Sequence, residues 1–421
     1  MRSALTPTPT PASASWRWTT IGLLVVGVII AYVARSNISV AVVVPEFRRL
    51  FNLTDASRGT LNSAFFWSYA FLQIPAGWIV DRYGVKYPYA IAFFAWSLVS
   101  AATALGVTLA QLIGLRFLLG IAESVVTPAS MRWIRFHFAE KERGLAIGVY
   151  MTGTKIGPAI GAPLAAWLID LYDWRMMFII LGVGSMIWLL PWLFMVHDDD
   201  RQIEKAAAML NQVPATPFWR IMASPVIWGT IIGTFCYMYF VYFCMTWMPA
   251  YFVERRHLSL GGMGLYTFFS FGGMAAVSAL GGWAADAMIA RGHNPVSVRK
   301  AFTIAGFLIA STEVVGALSD SVPVALFFAV FSLSGLGLAT ANYWALTQTL
   351  IPGGAIGRIV GIQNCAANLP GIVAPILTGW LKEATGKYDA PMQAIWFFLV
   401  LGIAAYVFLV REKYAPREAR G

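Results

Sequence analysis

Apolar runs long enough to cross a lipid bilayer occupy most of this 421-residue chain. A helix needs about 20 apolar residues to span the hydrocarbon core, because each residue adds about 1.5 Å. The runs follow one another so closely that little of the chain is left for a water-soluble core. The pattern predicts twelve membrane-spanning helices, at residues 19–44, 58–80, 87–107, 109–131, 143–168, 175–196, 226–250, 262–285, 299–318, 323–346, 357–380 and 391–410.

Composition agrees with a multi-pass, all-α membrane protein. Hydrophobic residues make up 58% of the chain and charged residues only 12%, whereas a soluble domain carries about 25% charged residues. Cys236, Cys244 and Cys365 all lie in apolar runs and indicate no disulfide framework. The net charge of +10 is not accompanied by a basic patch with interleaved aromatic residues. We therefore expect a lipid bilayer, and no nucleic acid, as the surroundings of this chain.

One long break between the runs divides the predicted spans into two sets of six. The first run is too long for the apolar core of a signal peptide, which has about 7–15 residues, so we expect it to be retained. The predicted organisation is a disordered cytoplasmic tail, a first six-helix bundle, a cytoplasmic linker, a second six-helix bundle and a short cytoplasmic tail. These correspond to residues 1–18, 19–196, 197–225, 226–410 and 411–421.

Lysine and arginine predict the orientation of the chain. If the N-terminus is placed inside, the inside segments hold more than twice as many of these residues as the outside segments. Positively charged residues favour the cytoplasmic side. We therefore expect a protein of the inner (plasma) membrane with both termini in the cytoplasm.

The two predicted halves repeat a sequence pattern. Gly77-Trp-Ile-Val-Asp81-Arg-Tyr-Gly84-Val-Lys86 follows the second span, and Gly282-Trp-Ala-Ala-Asp286 follows the eighth, about half a chain length later. Ala162-Pro163 with Trp167 closes the fifth span, and Ala374-Pro375 with Trp380 closes the eleventh, where the tryptophan is one residue out of step. Duplicated six-helix halves are typical of secondary transporters, which rock around a site near the middle of the membrane.

These features resemble the major facilitator superfamily, over about residues 19–410. The finer resemblance is to its anion:cation symporter branch, which includes bacterial sugar-acid and hexuronate permeases, vesicular glutamate transporters and sialin. It is carried by Tyr32-Val-Ala-Arg35-Ser-Asn37, by residues 63–78 and 138–144, and by Arg116 with Glu123. The resemblance implies the major facilitator fold and import of a small organic anion with protons by alternating access.

One position departs from part of that branch. Galactonate-type members have an acid directly before the span-one arginine, and that acid takes part in proton coupling. The corresponding residue here is Ala34. Hexuronate-type and animal members also lack the acid, so this departure is expected to move the comparison away from galactonate carriers and to leave the coupling to another carboxylate.

Four charged residues lie near the middle of predicted spans: Arg35, Arg116, Glu123 and Lys155. A charge at the bilayer centre costs roughly 2.5–3.5 kcal/mol on insertion scales, so such residues usually face a cavity or one another. Arg116 and Glu123 are seven residues apart, about two helical turns, and therefore share one helix face. By resemblance, spans one, four, seven and ten line the central cavity.

We expect Arg35 and Arg116 to hold a substrate carboxylate, because a guanidinium offers a planar pair of donors. Glu123 is the expected proton carrier, since all four histidines fall in predicted loops. In the structural alternative, Arg116 pairs with Glu123 and Arg35 binds free backbone carbonyls. Lys155 stands where family members more often have an uncharged residue. It could contact a second carboxylate or a hydroxyl, or it could neutralise Glu123.

The second half has no basic residue at mid-membrane, but it offers polar and aromatic side chains that suit hydroxyls or a ring. By resemblance, substrate-contact positions are occupied by Tyr69, Thr154, Trp344 and Asn364. The alternative for any single aromatic residue is packing. Glu313, toward the outer end of the ninth span, is expected to have a structural role or to extend its carboxylate toward the membrane surface.

The loop after the second span predicts a gate. Asp81 can meet the positive end of a helix and neighbouring arginines, which we expect to be Arg82 and Arg143. Such contacts would hold the two halves together on the cytoplasmic side.

The predicted function is proton-coupled import of a small organic anion, a sugar acid such as a hexuronate or aldonate, by a monomer without cofactors. The absent acid at Ala34 leaves open an anion exchanger or a facilitator for aromatic or dicarboxylic acids. A membrane-embedded enzyme is disfavoured because no metal cluster, Gly-x-Ser-x-Gly elbow or phosphate loop is present. A receptor is disfavoured because the linker and tails are too short for a signalling domain.

Overall fold

The computed structural model describes residues 14–138, 140–197, 222–350 and 356–415. All regular structure in these residues is helical. Most of the predicted tails and of the predicted linker, residues 197–225, lies outside the described residues.

Long helices account for the six predicted spans of the first half. They are α1 (Ala14–Ala41), α2 (Asp55–Tyr83), α3 (Lys86–Ala102), α4 (Leu109–Glu123, continued by Val126–His137), α5 (Glu140–Leu171) and α6 (Trp174–Ser185, continued by Leu189–Met195).

The second half repeats this arrangement within its described residues. Its helices are α7 (Pro225–Thr246), α8 (Leu260–Ala290), α9 (Pro295–Ala310, continued by Glu313–Leu318), α10 (Val322–Leu350), α11 (Ile356–Asn368, continued by Pro370–Thr385) and α12 (Asp389–Ala404).

Helix ends follow local sequence signals. The side chain of Thr54 accepts a hydrogen bond from the Ser57 backbone at the start of α2, and Asp173 does the same for α6. Pro225 and Pro295 occupy the first turns of α7 and α9, where a missing N–H costs nothing. The observed helices agree with the predicted spans to within about six residues at either end.

Nine helices in the described ranges are long and apolar enough to cross a membrane. The other three predicted spans, α2, α5 and α11, are helical too, and each contains at least one proline. They contact the opposite half, since α2 packs on α11 and α5 packs on α8. Their lower hydropathy fits this position, because a helix that faces protein needs fewer lipid-facing residues.

Large apolar side chains cover the outside of the described structure. Ile74 is 82% exposed, Trp283 is 72% exposed and Phe194 is 84% exposed. Continuous apolar surface on this scale suits contact with lipid rather than with water.

The two halves meet closely at one end of the molecule, which we call the distal face. It holds the loops that follow α1 and α7 and lies opposite the start of α1 and the end of α12. Gly59 lies against the backbone of Pro375, and Gly379 against the backbone of Asp55. Gly264 of α8 likewise lies against Pro163 of α5. Small residues allow helix backbones to approach one another at these points.

Within the first half, α5 packs beside α1 through a row of glycines. Gly153 lies next to Val28, Gly157 next to Tyr32 and Gly161 next to Ser36. Both residue series ascend together, so the two helices run in the same direction. This contact fixes the depth of every other residue on α5 relative to α1.

Replacing Gly157 by alanine is expected to destabilise the protein, because the added Cβ would collide with Tyr32 and with the Ile29 carbonyl. Overpacking of this kind costs about 1–3 kcal/mol. Gly148, on the same helix, has open space around it, so Gly148→Ala should be neutral or stabilising by about 0.5–1 kcal/mol. Thermal unfolding of the two purified variants checks this, and equal midpoints would contradict the packing.

Candidate functional site

A buried ion pair joins α1 and α4. The Nε of Arg35 donates to Oε2 of Glu123 over 2.5 Å. The side chains are 1% and 0% exposed, respectively. Glu123 is the last residue of its helical segment, which resumes at Val126. The charged residue therefore lies at a short interruption of α4.

Arg116 binds backbone carbonyls instead of Glu123. Its Nη1 donates to the carbonyl of Ala34 over 3.2 Å, and its Nη2 to the carbonyl of Arg35 over 3.0 Å. The structural alternative derived from the sequence paired Arg116 with Glu123 and Arg35 with backbone carbonyls. The structure shows the reverse assignment. Arg116 thus uses one donor of each terminal nitrogen to hold α4 against α1, while its Nε is buried without a partner in the described residues.

Aromatic rings enclose the Arg35 guanidinium. Its central carbon lies 4.4 Å from the ring centre of Tyr32, 4.9 Å from that of Phe65 and 4.3 Å from that of Tyr69. Cation–π contacts of this kind stabilise a cation by about 2 kcal/mol when it is removed from water. The hydroxyl groups of Tyr69 and Thr127 lie 3.3 Å apart. The rings therefore fix the orientation of the guanidinium plane and the directions of its N–H donors.

Several polar atoms at this centre have no hydrogen-bond partner in the described residues. They include Nη1 and Nη2 of Arg35 and Oε1 of Glu123. Buried polar atoms are usually satisfied, so an unsatisfied pair of parallel donors calls for an explanation. A carboxylate is the group that accepts from both donors at once.

Lys155 lies elsewhere on the boundary between the halves. Its side chain is buried in the middle of α5, and its Nζ lies 5.9 Å from the ring centre of Tyr237 on α7. No ion pair of the described residues includes it. It therefore does not neutralise Glu123 in this structure.

The second half contributes a polar and aromatic group. The hydroxyls of Tyr237 and Thr340 lie 2.6 Å apart. The ring of Tyr343 is 4.9 Å from Tyr237 and 5.3 Å from Trp344. Trp344 thus belongs to an aromatic chain that leads to the surroundings of Lys155.

Asn364 reaches across to the first half. Its Nδ2 donates to Oε1 of Gln73 on α2 over 2.6 Å, and its carbonyl accepts from Asn368. Thr154 bonds only to the Met151 carbonyl one turn earlier on its own helix. The structure thus groups Arg35, Arg116, Glu123 and Tyr69 in one centre and places Lys155, Trp344 and Asn364 around the boundary between the halves.

The expected cytoplasmic gate has different contacts from those predicted. Asp81 pairs with Arg132 of the same half, not with Arg82 or Arg143. Arg143 instead donates to the carbonyls of Arg135 and Phe138. In the second half, Asp286 pairs likewise with Arg299, at 2.9 Å. The loop acids thus brace each half internally, and a gating role for them stays a prediction.

Glu313 also has a local partner. It accepts a hydrogen bond from Ser332 Oγ over 2.6 Å. This contact ties α9 to α10 and agrees with the structural role expected for Glu313.

A second group of charges, not foreseen from the sequence, joins the halves at the distal face. Its acids and cations come from loops and helix ends that are far apart in the chain, and no local pattern announces the pairing. We call it the distal charge cluster, and it comprises Arg48, Asp55 and Arg58 of the first half with Glu254, Lys382 and Tyr388 of the second.

Glu254 is the centre of the distal charge cluster. It lies 2.7 Å from Arg58 and 2.5 Å from Lys382. Asp55 completes the ring, 2.9 Å from Arg58 and 3.0 Å from Lys382. Burial by itself raises the pKa of Glu254, but the cations Arg58, Lys382 and Arg48 outweigh it, so this pKa lies below its ordinary value.

Two six-helix halves that surround buried charges of opposite sign define a multi-pass membrane carrier. The sequence matches the model of the Major Facilitator Superfamily over residues 24–375, and the chain belongs to that superfamily. This match confirms the superfamily and the fold that were predicted from the sequence.

Curated relatives that match nearly the whole chain are transporters. A D-galactonate transporter of Escherichia coli O6:H1 is 30% identical over 418 residues, covering 93% of this chain and 95% of that protein. A probable sulfoacetate transporter of Cupriavidus necator, SauU, is 30% identical over 395 residues, 90% of each chain. The match to a galactonate carrier gives no support to the expectation that Ala34 moves the resemblance away from that group.

A solved structure shares the fold. It is a bacterial homolog to the human lysosomal transporter Spinster, in an inward-facing and occupied conformation. The TM-score is 0.80 at 17% sequence identity, with 97% of this chain and 100% of that chain covered.

The distal charge cluster predicts a pH dependence of stability. Because the pKa of Glu254 is lowered in the folded protein, its carboxylate stabilises that state above an ordinary glutamate pKa of about 4.3. This contribution is lost as the pH falls through the lower, folded-state pKa. Glu254→Gln should cost up to about 3 kcal/mol, and its deficit in thermal midpoint should stay constant from pH 7 to pH 5 and shrink only below about pH 4.

Glu46→Gln is the matched control, since Glu46 is exposed at the same face. It should leave the midpoint unchanged. A Glu254→Gln deficit that disappears already between pH 7 and pH 5 would show that the cluster does not lower this pKa.

Proposed function

We propose that this chain imports a small organic anion of the sugar-acid class, such as a hexuronate or aldonate, together with protons, by alternating access across the inner membrane. The observation that supports the proposal most directly is the state of Arg35. Its Nε is occupied by Glu123, while Nη1 and Nη2 are buried without a partner in the described residues.

A substrate carboxylate is proposed to accept from these two nitrogens. The bidentate geometry of a guanidinium and a carboxylate gives both strength and orientation. Tyr32 and Tyr69 hold the guanidinium plane, and Arg116 holds the backbone that carries it. The named substrates of the two relatives, galactonate and sulfoacetate, are both anions, which agrees with this class.

Proton coupling is proposed to follow from the charges at this centre. Arg35 and Glu123 neutralise each other when no substrate is bound. A carboxylate bound to Arg35 places a second negative charge beside Glu123 and so favours uptake of a proton there. Conversely, a protonated Glu123 no longer neutralises Arg35, so the full positive charge of Arg35 attracts the anion. The coupling is reciprocal, as linkage requires.

The distal charge cluster is proposed to close the external side. Arg58, with its side chain 1% exposed, is held between acids of both halves, so this face must open before an external substrate can reach Arg35. We place the distal face outside the cell and both termini in the cytoplasm. Asp81, Arg82 and Arg143 are kept as a proposed gate on the cytoplasmic side.

Glu123→Gln separates binding from coupling. In proteoliposomes, counterflow of the substrate should survive, because Arg35 keeps its charge, whereas accumulation driven by an imposed pH gradient should disappear. The substrate is first identified by a thermal-shift panel of organic acids on the purified protein. Glu46→Gln serves as the control and should retain both activities. Unchanged accumulation by Glu123→Gln would remove Glu123 from the coupling step.

Arg35→Lys and Arg116→Lys test the division of labour between the two arginines. Lysine keeps the charge but cannot present two parallel donors. Arg35→Lys should weaken substrate binding about tenfold or more, the effect of losing a charge-assisted hydrogen bond of about 1.5–3 kcal/mol. Arg116→Lys should instead lower the thermal midpoint. Isothermal titration and thermal unfolding measure the two effects, and a larger binding loss for Arg116→Lys would reverse the assignment.

The alternative function, an anion exchanger or facilitator, is favoured by Ala34 alone. Uptake with and without an imposed pH gradient separates it from symport. Uptake that does not depend on the pH gradient but requires an anion inside the vesicles would establish exchange.

A further inference from the structure

Lys155 is a buried cation for which the proposed transport mechanism supplies no counter-charge. It is 9% exposed, and it lies midway along α5 (Glu140–Leu171), about 22 Å from either end at 1.5 Å per residue. A lysine this deep cannot extend its ammonium group to the membrane surface. Its Nζ lies 5.9 Å from the centre of the Tyr237 ring of the other half.

The glycine row between α1 and α5 places Lys155 relative to Arg35. Gly161 is level with Ser36, and Gly157 is level with Tyr32. Arg35 is therefore about five residues further along the bundle than Lys155, which is about 7.5 Å at 1.5 Å per residue. Tyr32 connects the two levels, because its backbone borders Gly157 while its ring lies 4.4 Å from the Arg35 guanidinium. The axial separation of these two positions is thus within the length of one small, extended molecule.

The intramembrane charges of the first half do not balance. Among the described residues near the middle of these spans there are three cations, Arg35, Arg116 and Lys155, and one acid, Glu123. An unpaired charge away from water costs several kcal/mol. A monoanion bound to Arg35 would leave one positive charge uncompensated, whereas a dianion would compensate both.

We propose that Lys155 determines specificity by binding a second anionic group, so that the carrier prefers dianions to monocarboxylates of the same length. The preferred substrates carry two carboxylates, or a carboxylate and a sulfonate. One anionic group binds Arg35, and the other binds Lys155 near the boundary with α7. This inference rests on the proposed function and narrows its substrate class.

The test uses pairs of acids that differ only in the second carboxylate: gluconate with glucarate, and threonate with tartrate. Binding is measured by isothermal titration on purified protein, and transport by counterflow in proteoliposomes. The wild-type protein should bind at least one diacid about tenfold or more tightly than its monoacid partner. Lys155→Gln should remove this preference by weakening the diacid alone, and Lys155→Arg should retain it.

Lys387→Gln, which changes an exposed lysine, is the matched control and should leave both affinities unchanged. A wild-type protein that binds and transports monoacids without preferring any diacid would overturn the inference while leaving the proposed function intact. Equal weakening of monoacid and diacid by Lys155→Gln would also overturn it. Failure of the wild-type protein to bind any of these acids, or any other organic acid in the panel, would overturn both.

Discussion

The ion pair between Arg35 and Glu123 is the interaction on which the site depends. Each charge alone would be costly at this depth, and the pair removes much of that cost through a 2.5 Å contact. Arg116 completes a reciprocal connection. Arg35 of α1 binds the acid of α4, and Arg116 of α4 binds backbone carbonyls of α1. The two helices therefore hold the charged centre as one rigid unit.

Around the site, the contacts between the two halves are ones that can be exchanged. Asn364 and Gln73 form a neutral hydrogen bond across it, and Tyr237 approaches Lys155 through its ring. Neutral hydrogen bonds contribute only about 0.5–1.5 kcal/mol each, because water replaces them when they separate. The structure thus combines a rigid charged centre in one half with replaceable polar contacts from the other. This combination suits a site that must release its contents toward alternate sides.

The sequence was sufficient to predict the spans and the intramembrane charges, because both depend on local hydropathy. It was not sufficient to predict the partners. Spacing alone places Arg116 and Glu123 on one helix face, but the register of α1 against α4 decides that Arg35 reaches the acid first. Asp81 pairs with Arg132 for the same kind of reason. Asp55, Glu254 and Lys382 meet only after the halves have assembled, so no sequence window contains the distal charge cluster.

The chemistry of that cluster explains how a closed face can still open. Buried ion pairs gain Coulomb energy but lose hydration, and the two terms nearly cancel. Separation of the halves would return Arg58, Glu254 and Lys382 to water and recover their hydration. The neighbouring contacts use glycines such as Gly59 and Gly379, which bury little apolar side chain. If the distal face opens as proposed, an interface of this composition would keep the two states close in free energy, and an anion or proton with unequal affinity for them would then shift the equilibrium.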